Sequence, residues 1–128
     1  MNNLKLLKCA AIDFLDTLHK ELRLSICIDK IYYNCDYSSN ILDDKICNII
    51  NGYEDDELEE NSTIVKNVSG EKLCNLNKVY NYLDMQENLK DKAKINKIKK
   101  EIDNIMKKTV CSVKDIRLTI NNIKQICK

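Results

Sequence analysis

Apolar residues recur at helical spacing along most of the chain. Leu4, Leu7, Ala11, Phe14, Leu18 and Leu22 follow one another at steps of three and four, which puts them on one stripe of an amphipathic helix over about 4–23. Leu73, Leu76, Tyr80 and Leu83 form a second stripe, predicting a helix that begins from Ser69, with Glu71 and Lys72 in its first turns. Ile95, Ile98, Ile102, Ile105 and Thr109 form a third. At about 100° per residue the third stripe is out of phase with the second by roughly 60°. A single helix over 71–108 would also be about 57 Å long, so a break is expected near 85–91. Val113, Ile116, Ile120, Ile123 and Cys127 predict a last helix over about 113–127. A shorter helix over about 40–51 is expected from Leu42, Ile46, Ile49 and Tyr53, with Ser38 or Ser39 as its cap and Gly52 just past its end.

One stretch departs from this period. In "RLSICIDKIYYNC", residues 23–35, the apolar Leu22, Leu24, Ile26 and Ile28 alternate with Arg23, Ser25, Cys27 and Asp29. A period of two is the mark of a strand, and a short strand reaching about residue 33 is expected there. In the alternative, Leu24, Ile26 and Ile28 prolong the first helix.

Length and composition narrow the class. The chain has 128 residues, 44% hydrophobic and 32% charged, with no Pro and two Gly. That describes a single globular domain over 1–128 and argues against a turn-rich β sandwich. The expected fold is all-α: a four-helix bundle with an extra short helix and a short strand in the first crossover. The net charge of +1 provides no overall field toward nucleic acid or membrane. No apolar run reaches the roughly 18 residues of a membrane span. The N-terminal apolar run is interrupted by Lys8 and Asp13, with no small-residue cleavage site after it. The chain is therefore either cytoplasmic or a mature secreted chain without its leader.

The cysteines bear on that choice. There are seven, Cys9, Cys27, Cys35, Cys47, Cys74, Cys111 and Cys127, and their spacing fits no zinc knuckle. A free helical cysteine is ordinarily a small buried hydrophobe. Helical projection instead puts Cys9, Cys47 and Cys74 off the apolar faces, which favours disulfide bonding. Two N-glycosylation acceptors, Asn61 in "NST" and Asn67 in "NVS", lie in the polar acidic loop after Gly52. Together these features favour a secreted, disulfide-bonded glycoprotein. The "EDDELEE" run in that loop lacks the ligand spacing and central Gly of an EF-hand and reads as a solvated stretch.

Catalytic signatures are missing. The two glycines are isolated, no G-x-S-x-G occurs, and nothing in the local sequence supports a Cys–His dyad on the single His19. No enzyme activity, cofactor or metal is expected. The segment 90–108 holds eight lysines against three acids. Such a helix can be a solvated face or can bind an acidic protein, anionic lipid or nucleic acid. No aromatic residue interleaves with the lysines to stack on bases, so a protein partner is expected.

Four stretches carry a family resemblance: "LKCAAIDFLDTLHKELRLSIC", "CIDKIYY", "EKLCNLNKVYNYL" and "CSVKD". They cover about half of the chain. The chain resembles the short-chain four-helix cytokines of the interleukin-4 and interleukin-13 group, with the interleukin-7 type as a neighbour through the spaced cysteines at 12–36. The resemblance implies a secreted, cytokine-like ligand in immune modulation, binding a cell-surface receptor through charged helix faces. It implies that Cys9 pairs with Cys127 and Cys74 with Cys111. Cys27 would then pair with Cys35 or Cys47, leaving one thiol that could link a dimer of an otherwise monomeric chain. Asp13 and Asp16 on the first helix and Lys97, Lys100 and Lys107 on the basic helix are the implied receptor contacts. The connection at 109–112 is short for the second crossover of an up-up-down-down bundle. An intracellular all-α interaction protein with reduced cysteines, such as a viral host-modulating bundle, is the alternative.

Overall fold

Asn2 opens the first helix. Its Oδ1 accepts a hydrogen bond from the Leu4 amide at 2.8 Å, occupying one of the amides that a helix start leaves without an internal partner. In the computed structural model, which describes residues 2–34, 52, 62–63, 70–108 and 110–128, helix α1 runs Asn3–Asn34. It is followed by strand β1, Ser62–Thr63, helix α2, Gly70–Asp84, and helix α3, Lys92–Lys107. Strand β2, Val110–Cys111, and helix α4, Val113–Ile126, complete the chain. The fold is an all-α four-helix bundle, with β1 and β2 paired antiparallel in the register Ser62↔Cys111 and Thr63↔Val110.

The expected break between the second and third stripes falls where the phase slip puts it, in the turn over 85–91. Asp91 closes that turn in the left-handed region at φ 59°, a conformation that Asp tolerates better than most residues. Ser112 caps α4: its Oγ accepts from the Asp115 amide at 3.2 Å, and Asp115 Oδ2 accepts from the Ser112 amide at 3.0 Å. This reciprocal capping box fixes where the helix begins. Those carboxylate bonds, the Ser112 amide foremost, hold the Asp115 carboxyl below its ordinary value.

The strand expected over 24–33 is not formed, because α1 continues through that stretch as helix to Asn34. Ile26 lies four residues after the buried Leu22 and is itself buried, with 2% exposure, whereas Leu24 is 42% exposed. A strand would have placed Leu24 and Ile26 on one face. No Gly or Pro interrupts the segment, so the i, i+4 stripe prevails. The expected short helix over 40–51 lies outside the described residues.

The core is continuous across the helices. Leu7, Leu15 and Phe14 of α1 meet Leu76 and Leu83 of α2, Ile95, Ile98, Ile102 and Ile105 of α3, and Ile116, Ile120 and Ile123 of α4. Helix α1 packs mainly on α2 and α4, and α3 packs on α4. Three contacts set the helix directions. Asn2 and Asn3 share a hollow with Asn88, Lys90 and Asp91. Lys94 at the start of α3 donates to the Lys128 carbonyl beyond the end of α4, at 3.4 Å. Lys72 at the start of α2 reaches Asp13, a third of the way along α1. Successive described helices therefore alternate in direction, up-down-up-down, and differ from the up-up-down-down order of the cytokine family. At 32 residues, α1 is about 48 Å long, twice the length of α2, α3 or α4.

Candidate functional site

The lysines of α3 divide into two groups, and helical geometry makes the division. Ile95, Ile98, Ile102 and Ile105 turn inward. Lysines flanking that stripe reach neighbouring elements. Lys94 bonds the Lys128 carbonyl. Lys99 bonds Asp84 Oδ1 at 3.0 Å and lies over the Tyr80 ring, 5.4 Å from its centroid. Lys108, just past the helix end, lies 3.6 Å from Asp115. Lys100 and Lys107 project opposite the isoleucine stripe, and Lys97 projects near the α4 edge. These three make no ion pair with a carboxylate among the described residues, and all three are exposed. They lie at i, i+3 and i+10, with Asn96 and Asn104 near them and Glu101 and Asp103 at the flanks. The result is a cationic ridge with no ion-paired carboxylate among the described residues.

The first-helix carboxylates are treated unequally. Asp13 accepts from Lys72 Nζ at 2.8 Å, and this bond holds the Lys72 ammonium above its ordinary value. Asp16, one turn further, is exposed and makes no ion pair with a described residue. Only Asp16 of the expected acidic pair is therefore left for an outside partner.

Along the seam between α3 and α4 runs a groove of about 530 Å³, lined by Lys97, Lys100, Glu101 and Asn104 on one side and by Asn122, Gln125 and Ile126 on the other. Asn122 Nδ2 donates to Glu101 Oε2 at 3.4 Å, tying the two walls together. Leu118 lies one turn before Asn122 on the same face of α4 and is 58% exposed. A second hollow, at the α2–α3 turn, has an apolar floor of Leu83, Leu89 and Ile95 and mixed charges at its rim. Beside it, the Tyr80 hydroxyl is buried without a hydrogen-bond partner among the described residues. Burial, reinforced by the Asp103 charge, pushes its ionisation upward.

The four cysteines with described side chains are all free thiols: Cys9 and Cys74 exposed, Cys111 buried, Cys127 half-buried. Cys9 and Cys127 are nonetheless brought close. Burial pushes the Cys127 thiol up, Lys8 and Lys94 oppose that shift, and the neighbouring Cys9 adds to it. The expected Cys74–Cys111 bond is not made, since Cys74 faces outward on α2 and Cys111 is sealed in the core, where burial raises its thiol. Cys27 lies within α1. Cys35, Cys47, Asn61 and Asn67 lie outside the described residues. Among the described residues no group of three or more His, Cys, Asp or Glu side chains could hold a metal ion. No described helix is long and apolar enough to cross a membrane.

The groove and its ridge carry a signal that total charge conceals. Residues 90–128 contain twelve Lys and Arg against four Asp and Glu, whereas residues 1–89 contain nine against sixteen. The net charge of +1 is the near-cancellation of two oppositely charged halves, and a charge count by segment finds the α3–α4 unit directly. Comparison with known proteins adds no assignment: no family model, curated protein or solved structure matches the chain significantly.

Proposed function

We propose that this protein is a non-catalytic ligand that acts by binding another protein through the cationic ridge Lys97, Lys100 and Lys107. The observation that carries this reading is the contrast within α3. Lys94 and Lys99, and Lys108 just past the helix end, are engaged inside the molecule, while Lys97, Lys100 and Lys107 make no ion pair with a carboxylate among the described residues. A ridge of that kind speeds encounter with an acidic surface and fixes the register of docking.

In its cytokine-like form the ligand is secreted, glycosylated at Asn61 and Asn67, and engages a cell-surface receptor to modulate an immune response. The proximity of Cys9 and Cys127 supports this form, because the family resemblance joins the same two positions. The second reading is an intracellular helical interaction protein with reduced cysteines, favoured by the alternating helix directions and by the separation of Cys74 from Cys111. Two measurements test these readings. Mass spectrometry of the protein from its native source, with and without reductant, gives six paired cysteines for the secreted ligand and seven thiols for the intracellular one. Receptor-bearing cells should lose binding on combined reversal of Lys97, Lys100 and Lys107 to Glu. Unchanged binding of that variant to every partner that captures the wild type would remove the ridge from the function.

A further inference from the structure

We infer that the groove along the α3–α4 seam is a docking site for an acidic amphipathic helix of a partner protein. The inference rests on the proposed binding function and adds the shape and chemistry of what is bound. Three features of the groove specify that partner. Its α3 wall presents Lys97 and Lys100 one turn apart, with Glu101 beside them already held by Asn122, and Lys107 lies two turns further on, beyond the lining. Its α4 wall presents Asn122, Gln125 and Ile126, and Leu118 lies beyond the lining on the same side of α4, eight residues before Ile126 and about 12 Å along the helix. Ile126 packs against the core, and Leu118 is more than half exposed. Apolar anchors two turns apart match the i and i+7 positions with which an amphipathic helix fills a groove. Carboxylates on the flank of the incoming helix then meet Lys97, Lys100 and Lys107. The side-chain amides of Asn122 and Gln125 can bond polar groups between the anchors.

Other anionic partners fit less well. A single-stranded nucleic acid needs aromatic platforms for its bases, and residues 90–128 contain no Phe, Tyr or Trp. A membrane surface needs large apolar side chains between the lysines, whereas α3 places Ala93, Asn96 and Asn104 there. Charge complementarity together with paired apolar anchors selects an acidic helix.

The test uses the full chain and a fluorescein-labelled designed helical peptide of about 18 residues, with Leu at i and i+7 and Glu along one flank. Its controls are the Glu→Lys isomer, a scrambled sequence of the same composition, single-stranded oligothymidine, and vesicles of phosphatidylcholine with phosphatidylserine. The acidic helix should bind in fluorescence anisotropy, and the Lys isomer should not. Lys97→Glu with Lys100→Glu should weaken binding by at least about tenfold and flatten its salt dependence. Leu118→Asn should weaken it severalfold and leave the salt dependence unchanged. Lys5→Glu with Lys20→Glu, on α1, should bind like the wild type. Circular dichroism must find every variant folded, and Leu118 and the lysines are exposed enough for substitution to be tolerated.

Equal binding of the scrambled peptide, an unaffected Leu118→Asn variant, or preferential binding of oligothymidine or vesicles would each overturn the inference. Suppose the acidic helix fails to bind while lysine reversal still abolishes binding to receptor-bearing cells. Then the groove is not the site and the ridge function stands. Failure of both assays removes both.

Discussion

Replacing two neighbouring apolar residues of α1 separates helix from strand in the region where the two periods compete. In the helix, Ile26 is buried at 2% exposure and Leu24 is 42% exposed. Ile26→Ala deletes three buried carbons. At about 0.8 kcal/mol per carbon, transfer alone costs about 2.4 kcal/mol, and the cavity left behind brings the expected loss to about 2–5 kcal/mol. Leu24→Ala removes a side chain already in contact with water and should change stability by no more than about 0.5 kcal/mol. Urea unfolding followed by circular dichroism at 222 nm measures both, and the slope with denaturant should stay the same so that midpoints can be compared. Ser25→Pro supplies an independent arm. Inside a helix it costs about 3 kcal/mol or more, whereas the end of a short edge strand would accept it at lower cost. Equal losses for Ile26→Ala and Leu24→Ala would mean that the two side chains share a buried face. The helical reading of residues 24–34 would then fail.

Other expectations follow from the caps, the thiols and the core. Ser112→Ala removes one half of the α4 capping box and should lower stability by about 1 kcal/mol in the same unfolding assay. Because the folded Asp115 carboxyl is held below its ordinary value, its stabilising effect is complete above the unfolded value of about 3.9. It is lost as pH falls through the lower folded value, so the stability gap between wild type and Asp115→Asn should shrink on acidification below about pH 4; a gap that widened would contradict the assignment. In the reduced protein, a maleimide should label Cys9 and Cys74 before Cys127, and Cys111 only on unfolding, as read by peptide mass mapping. Ile98→Ala, in the fully buried α3 stripe, should cost about 2–5 kcal/mol and leave peptide binding at the ridge unchanged once the protein is folded.

The three C-terminal helices could be read closely from sequence because one period governs each of them. The stripes of α2 and α3 are out of phase, and the turn over 85–91 falls between them. The Ser112 and Asp115 pair is a capping box in the plain residue order. The first helix was harder, since Leu22, Leu24, Ile26 and Ile28 satisfy a period of two while Leu22 and Ile26 also satisfy a step of four. Only burial distinguishes these readings, and burial is a tertiary property. Cys9 and Cys74 were placed correctly on exposed faces by helical projection. The sequence could not separate Cys74 from Cys111, because that requires knowing how the elements pack. The lysines were evident as a group. Their division into engaged and free sets depends on Asp84, Asp115 and the Lys128 carbonyl, which lie on other elements. Leu118 escaped notice because a leucine on an amphipathic helix is ordinarily assigned to the core.

The alternation of helix directions brings residues near the two ends of the described chain to one end of the molecule. Lys8 and Cys9 lie beside Cys127 there, and Lys94 reaches Lys128. A short glycine-serine linker can therefore join residue 128 to residue 2 without crossing the core. New termini can be opened in the turn over 85–91, whose Met85, Gln86, Glu87 and Asn88 are all exposed. Such a permuted chain would separate α2 from α3 in sequence while keeping α3 and α4 contiguous. The α3–α4 unit with its groove would then form the N-terminal part of the new chain, available for fusion to a reporter at a point remote in sequence from α1.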